Sequence, residues 1–333
     1  MAEYNDLSKA ISKILLYASC CLLIFKNCLA ATECLPDYDP PQITQAAPGL
    51  YGIGPPYAPF DPCNKSVNLT IVKNSTKLVI VMHGGGGGSE SQATLAAALN
   101  KEGISTLFFD AFKMNKLQKE SKWWALNALT GPKQRMLYHS NLAAVKWLSQ
   151  NAETAHMDIH IYGVSSGATA ALNISSIENL PNLKSVLLEG AAPIGIGLPD
   201  DLLKPILFIF GAQDNYGGKT SNEYIWNRVV PCSWNIEILQ TPAGNAARCN
   251  RLENSSNTIE SLDSYINYQT KKGQNLSVRY YDEAGHDIFS GRLRKFIMNS
   301  PSGPLYATMG AARNASDKLL KDILFFINKG RFD

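Results

Sequence analysis

The chain has 333 residues, 45% of them hydrophobic and 18% charged, with 25 Gly and 17 Pro that form no repeat. This excludes collagenous, mucin-like and wholly disordered chains and is enough for a large buried core. Lys plus Arg number 31 against 28 Asp plus Glu, a formal charge of +3, and no basic cluster could track a phosphate backbone, so nucleic acid is not an expected partner.

At the N-terminus, Lys9 and Lys13 precede an apolar run over 14–25, and Ala30 and Ala31 follow. That order predicts a signal peptide over 1–30 with cleavage near Ala30, and hence a secreted or periplasmic protein. The run is shorter than the roughly 20 residues of a membrane helix, so no stable span is expected in the mature form. An uncleaved anchor and a helix of the fold are the alternatives. Removal of the leader takes Cys20, Cys21 and Cys28 and leaves an even four, Cys34, Cys63, Cys232 and Cys249. Two disulfides follow in an oxidising compartment, most simply Cys34 to Cys63 and Cys232 to Cys249, although four cysteines allow three pairings. The cysteines lack C-x-x-C spacing and the histidines are scattered, so no metal is expected.

Residues 31–66, rich in Pro, Gly, Tyr and Asp, read as an arm with little regular structure, tethered by its cysteines. From 67 to 333 the pattern is that of one domain. Apolar runs at 67–72, 78–82, 104–109, 159–162, 183–188, 206–210 and 276–281 are too continuous for strands with one face in water, which predicts a mostly parallel sheet covered on both faces. Helices are expected at 92–101, 141–149, 166–172, 259–271 and 317–327. The alternation makes an α/β three-layer sandwich. Two long intervals, 112–138 and 215–256, are candidates for the binding surface, and the first, which contains Trp123 and Trp124, reads as a cap insertion or as a connection pinned to the core.

The strongest local signal is Gly163-Val164-Ser165-Ser166-Gly167 between a strand and an Ala-rich helix. A G-x-S-x-G turn in that context exposes a nucleophilic serine, here Ser165. Upstream, a buried strand ends in His83 and five glycines, Gly84 to Gly88. No G-K-[ST] follows, so the stretch is not a phosphate loop; beside a serine elbow it reads as an oxyanion loop, the Gly85 N–H acting with that of Ser166. His83 is expected to organise that loop. Asp214 follows the apolar run at 206–210, and His286 sits in Glu283-Ala284-Gly285-His286 after the run at 276–281. The order Ser, Asp, His is that of a hydrolase triad. Glu189, closing the run at 183–188, is the alternative acid. Tyr216 and Trp226, after the acid loop, join Trp123 and Trp124 as candidate substrate contacts.

Taken together, the His83-Gly84-Gly85 loop, the serine elbow, Phe210-Gly211-Ala212-Gln213-Asp214 and the His286 loop resemble the α/β-hydrolase superfamily over about residues 67–330. The nearest branches are the dienelactone-hydrolase-like proteins and small serine esterases. The dienelactone hydrolases proper have a cysteine at the position of Ser165, so their lactone activity does not carry over. The resemblance implies an α/β-hydrolase fold and acyl transfer from a small-molecule or acyl-ester substrate through an acyl-enzyme, with no metal or organic cofactor. Peptidase, amidase and acyltransferase activities share the same machinery, and a non-catalytic binding protein is the remaining alternative.

Overall fold

A computed structural model describes residues 43–47, 50–53, 60–116, 130–191, 198–199, 201–228, 230–231, 258–259, 261–300 and 303–332. The leader, Cys34, Cys232, Cys249, Trp123 and Trp124 lie outside the described residues. In the arm, where little regular structure is expected, β1 (Ile43–Ala47) and β2 (Leu50–Ile53) form an antiparallel hairpin. Beyond it lie β3 (Asn68–Thr70), β4 (Lys77–Met82), α1 (Glu90–Lys101), β5 (Ser105–Phe108) and the short α2 (Ala111–Met114). Next come α3 (Thr130–Gln150), β6 (Asp158–Val164), α4 (Ser166–Ile174), β7 (Leu183–Glu189) and β8 (Ile206–Gly211). The chain continues through β9 (Val230–Pro231), β10 (Thr258–Ile259), α5 (Leu262–Lys271), β11 (Leu276–Tyr281), a 3₁₀ turn at Ile288–Ser290, β12 (Arg294–Ser300), β13 (Gly303–Met309) and α6 (Arg313–Lys329).

The central sheet has seven strands in the order β11-β8-β7-β6-β4-β5-β3. Every pairing in it is parallel except that of β3 with β5. The first expected strand is therefore an antiparallel edge. Strand periodicity splits the core into two layers. Leu78, Ile80 and Met82 of β4 face one side with Ile159, Ile161, Val186, Leu188, Phe208 and Phe210, against α3, α4 and α5. Val79 and Val81 face the other with Tyr162, Leu187, Leu207 and Ile209, against α1 and α6. On α6, Leu319, Ile323, Phe326 and Ile327 recur at helical spacing and are all buried, which is how an amphipathic helix covers a sheet. The result is a three-layer α/β sandwich with the strand order of an α/β-hydrolase fold.

Three differences from the sequence reading have physical causes. The helix expected at 141–149 starts at Thr130, so the end of the 112–138 interval, with Met136, is in the core. The β12–β13 ribbon is unexpected: Phe296 and Ile297 are exposed, so alternation there produces no apolar-inside pattern. The helix expected at 259–271 begins after Ser261, whose hydroxyl caps it by accepting the Ser264 N–H; Thr258 and Ile259 pair with β9 instead.

The chain crosses from β4 to β5 on one side of it and then back from β5 to β6 on the other. A sheet of this kind opens a crevice at the carboxyl ends of its strands where the order reverses. The glycine loop, the Ser165 turn, Glu189, Asp214 and His286 all follow or end strands at that edge.

Candidate active site

Ser165 joins β6 to α4 with φ 55° and ψ −120°, a backbone conformation that costs about 1–3 kcal/mol for a residue with a side chain. The two flanking glycines make the turn sterically feasible. A Cβ at Gly163 would lie 2.6 Å from the Gly167 carbonyl oxygen, and a Cβ at Gly167 would overlap the His83 carbonyl oxygen. The turn is held from the other side by the Ser165 N–H, which donates to the Glu189 carbonyl at 2.8 Å. Ser165 and Ser166 remain half-exposed while their neighbours are buried.

The glycine loop lies directly on this turn. A Cβ at Gly84 would be 3.1 Å from the Ser165 Cβ, and one at Gly85 would be 3.2 Å from the Ser166 Oγ. His83 anchors the loop from below. Its Nε2 accepts the Ala111 N–H at 2.9 Å, which puts the ring proton on Nδ1, 2.8 Å from the Gly84 carbonyl oxygen. Asp110 caps α2 through the Phe112 and Lys113 N–H groups and accepts the Gly88 N–H at 3.1 Å. His83 is thus committed to loop architecture at both nitrogens.

On the opposite side, His286 Nδ1 lies 2.9 Å from Asp214 Oδ2, and both residues are buried. The second carboxylate oxygen of Asp214 accepts the Tyr216 N–H at 3.2 Å. Burial alone would depress the imidazole pKa. The Asp214 charge and hydrogen bond, with further help from Asp287 and Glu189, override it and hold the group above its ordinary value. Tyr216 stacks on the imidazole with centroids 4.5 Å apart at 19°. Arg228 fixes Tyr216 in turn by donating to its carbonyl at 2.9 Å. Trp226 instead packs against Phe210, Tyr224 and Tyr280.

Gly190 connects the two halves. Its φ is +57°, and a Cβ there would come within 2.7 Å of His286 Nδ1 and 3.1 Å of Asp214 Oδ2. The serine turn bonds to the carbonyl of the preceding residue, Glu189, so one peptide unit separates the support of Ser165 from the floor beneath the imidazole. The Glu189 side chain accepts the Ile288 N–H through Oε1 and the Tyr162 hydroxyl through Oε2, the latter at 2.5 Å. Burial, reinforced by Asp287, pushes this carboxyl well above the usual carboxylate range. Neither Gly190 nor β13 was singled out by the sequence. β13 pairs by backbone with both loops: Tyr306 exchanges bonds with Gly217 and Gly218, and the Thr308 carbonyl accepts the His286 N–H at 2.7 Å. The run Pro301-Ser302-Gly303-Pro304 between apolar stretches was the available signal for that hairpin.

Among the described residues, no group of three His, Cys, Asp or Glu could hold a metal ion, and no helix is long and apolar enough to cross a membrane. Cys63 is disulfide-bonded; its partner lies outside the described residues.

No protein-family model matches the chain, and no curated protein does. Solved structures similar to it include a dienelactone hydrolase from Anabaena variabilis, at 17% identity over 79% of this chain and 90% of that one, with a TM-score of 0.47. A dienelactone-hydrolase-like promiscuous phosphotriesterase from metagenomic libraries is similar at 12% identity over 77% and 87%, TM-score 0.44. Esterase PE8 is similar at 13% identity over 78% and 96%, TM-score 0.42. On its own strand order and on the gathering of its loops at the carboxyl edge, the chain has an α/β-hydrolase fold.

Proposed function

We propose that the chain is a serine hydrolase of carboxylic esters in which Ser165 is the nucleophile, His286 the base and Asp214 the orienting carboxylate, with the Gly85 and Ser166 N–H groups receiving the oxyanion. The observation that carries this reading is the buried 2.9 Å pair between His286 Nδ1 and Asp214 Oδ2, resting on the glycine next to the carbonyl that holds the Ser165 turn. With Nδ1 engaged, Nε2 is the nitrogen left for proton transfer. Ser165 Oγ bonds to the carbonyl carbon as its proton passes to Nε2, and the carbonyl electron pair moves onto oxygen. Collapse expels the alcohol, which takes the proton from Nε2, and leaves an acyl-serine. Water repeats the sequence and releases the acid. Glu189 as the acid is disfavoured because its carboxyl oxygens are engaged by Ile288 and Tyr162.

The proposal extends to the chain's organisation: a leader over 1–30, a tethered arm over 31–66, a catalytic domain over 67–333 with a cap in 112–138, and export to an oxidising compartment. The disulfide at Cys63 supports that compartment. Trp123, Trp124 and Tyr216 are proposed to line the substrate pocket, Tyr216 from its position on the imidazole.

A fluorophosphonate should label Ser165 alone, located by mass spectrometry, and Ser165→Ala should be unlabelled yet folded. Aryl and alkyl esters should be cleaved faster than matched peptides. An unlabelled Ser165 would defeat the reading in favour of a non-catalytic protein; labelling with peptide but no ester cleavage would favour a peptidase.

A further inference from the structure

We infer that Glu189 is a positioning residue of this site: its side chain clamps the His286 loop to the strand end whose carbonyl holds the Ser165 turn, so that one buried residue sets the register between imidazole and nucleophile. The inference rests on the serine-hydrolase reading above and goes beyond it, because Glu189 touches neither a reacting atom nor the imidazole nitrogens in that scheme.

Three bonds carry it. The Glu189 carbonyl accepts the Ser165 N–H at 2.8 Å. Glu189 Oε1 accepts the Ile288 N–H, two residues past His286, and Oε2 accepts the Tyr162 hydroxyl from the adjacent strand β6. Both partners are fixed by the core, since Tyr162 and Ile288 are fully buried. The intervening residue, Asp287, extends the clamp to the third loop. Held at φ +52°, it accepts the Ser91 hydroxyl at 3.0 Å. Ser91 is bonded to Ser89 and Gln92 in the first turn of α1, immediately after the glycine loop. The nucleophile turn and the histidine loop therefore meet at one buried residue, and the neighbouring Asp287 ties the exit of the glycine loop to them. A carboxyl in such a site survives only with its oxygens satisfied, and here they are satisfied by the parts whose spacing the chemistry needs.

The groups that face this carboxyl are Tyr162 on β6, Tyr281 at the end of β11, and His286 and Asp287 on the loop that follows; Asp214 and Arg294 act through His286 and Asp287. Removing this carboxyl's acceptors frees the Ile288 N–H and the Tyr162 hydroxyl, whereas a residue that merely filled space would leave both as they were.

The test compares wild type, Glu189→Gln and Glu189→Leu by the rate of fluorophosphonate labelling at Ser165 and by amide exchange over 286–290. Glutamine keeps an acceptor for the Ile288 N–H and should hold the labelling rate within about threefold, whereas leucine keeps none and should slow it by about tenfold to a hundredfold, the scale of a displaced catalytic group. Leucine alone should speed exchange of the Ile288 amide. A labelled wild type with Glu189→Leu reacting at the same rate, or with Ile288 equally protected, overturns the inference and leaves the triad reading standing. A wild type unlabelled at Ser165 overturns both. If Glu189→Leu fails to fold, Tyr162→Phe decides the matter: it keeps the ring and removes the hydroxyl bonded to Glu189 Oε2, and unchanged labelling with Ile288 equally protected overturns the inference.

Discussion

In the proposed triad a single carboxylate, Asp214, both orients the imidazole and holds its charge, so Asp214→Asn separates chemistry from folding. Turnover should fall by about two to four orders of magnitude, because tautomer control is lost while nucleophile and oxyanion donors remain. The acid limb of kcat/KM should move to lower pH as the carboxylate that raises the His286 pKa disappears, with an unchanged circular dichroism spectrum. Gly190 is the complementary case. With φ +57° and a Cβ only 2.7 Å from His286 Nδ1, Gly190→Ala meets backbone strain and a clash together. It should cost about 1–3 kcal/mol in a denaturant titration and also slow labelling of Ser165, because relief of the clash displaces the imidazole.

Among the elements, β13 has more influence than its exposed ribbon suggests. It lies between the acid loop and the histidine loop and hydrogen-bonds to both by backbone. The Tyr306 N–H donates to the Gly218 carbonyl at 2.7 Å, so proline at 306 removes a bond to the acid loop. Tyr306→Pro should lower stability by about 1–3 kcal/mol and reduce turnover, read by urea melts and by labelling rate. Ile297→Thr, on the exposed face of the same ribbon, should stay within about 0.5 kcal/mol of wild type. The glycine loop has an analogous support in His83, which bonds to the Gly84 carbonyl through Nδ1 and accepts the Ala111 N–H at the start of α2 through Nε2. These supports reach across the sheet edge from other elements, which is why none of them forms a pattern within its own segment.

For the whole molecule, buried histidines set opposing pH trends. His160 bonds to Ser185 through Nδ1 at 2.8 Å, has no hydrogen-bond partner at Nε2 among the described residues, and is pushed by burial down to about 4. The unfolded imidazole binds a proton below about pH 6.5 and the folded one only near pH 4, so the unfolded chain binds more protons in that window and stability falls as pH drops through it. The loss reaches about 3 kcal/mol by pH 4. His286 has the opposite sign: its raised pKa contributes stability below the ordinary value that is lost as pH rises through the folded one. Subtracting the stability curve of His160→Asn from that of wild type isolates the first effect, and a flat difference between pH 4 and 6.5 would contradict it. Cys63→Ser should cost about 2–4 kcal/mol if the disulfide closes a native loop, and intact mass of the exported protein should place its N-terminus near Ala31.

What the sequence determined by itself was local. The apolar runs marked the inner strands of the central sheet because strands buried on both faces are continuous in sequence; the edge strands β3 and β11 are only partly buried. The strand, glycine, serine, glycine and helix of the elbow lie within the seventeen residues 158–174, so the turn that strains Ser165 could be read directly. Tertiary structure decided the rest, where partners are distant in the chain. Asp214 and His286 are 72 residues apart and Glu189 and Ile288 are 99 apart, and two acidic residues at the ends of neighbouring strands look alike until the folded chain brings one to Nδ1 and the other to a backbone amide. The need for glycine at 190 likewise arises only when another loop's imidazole arrives above it, a contact that side-chain periodicity within β7 does not encode.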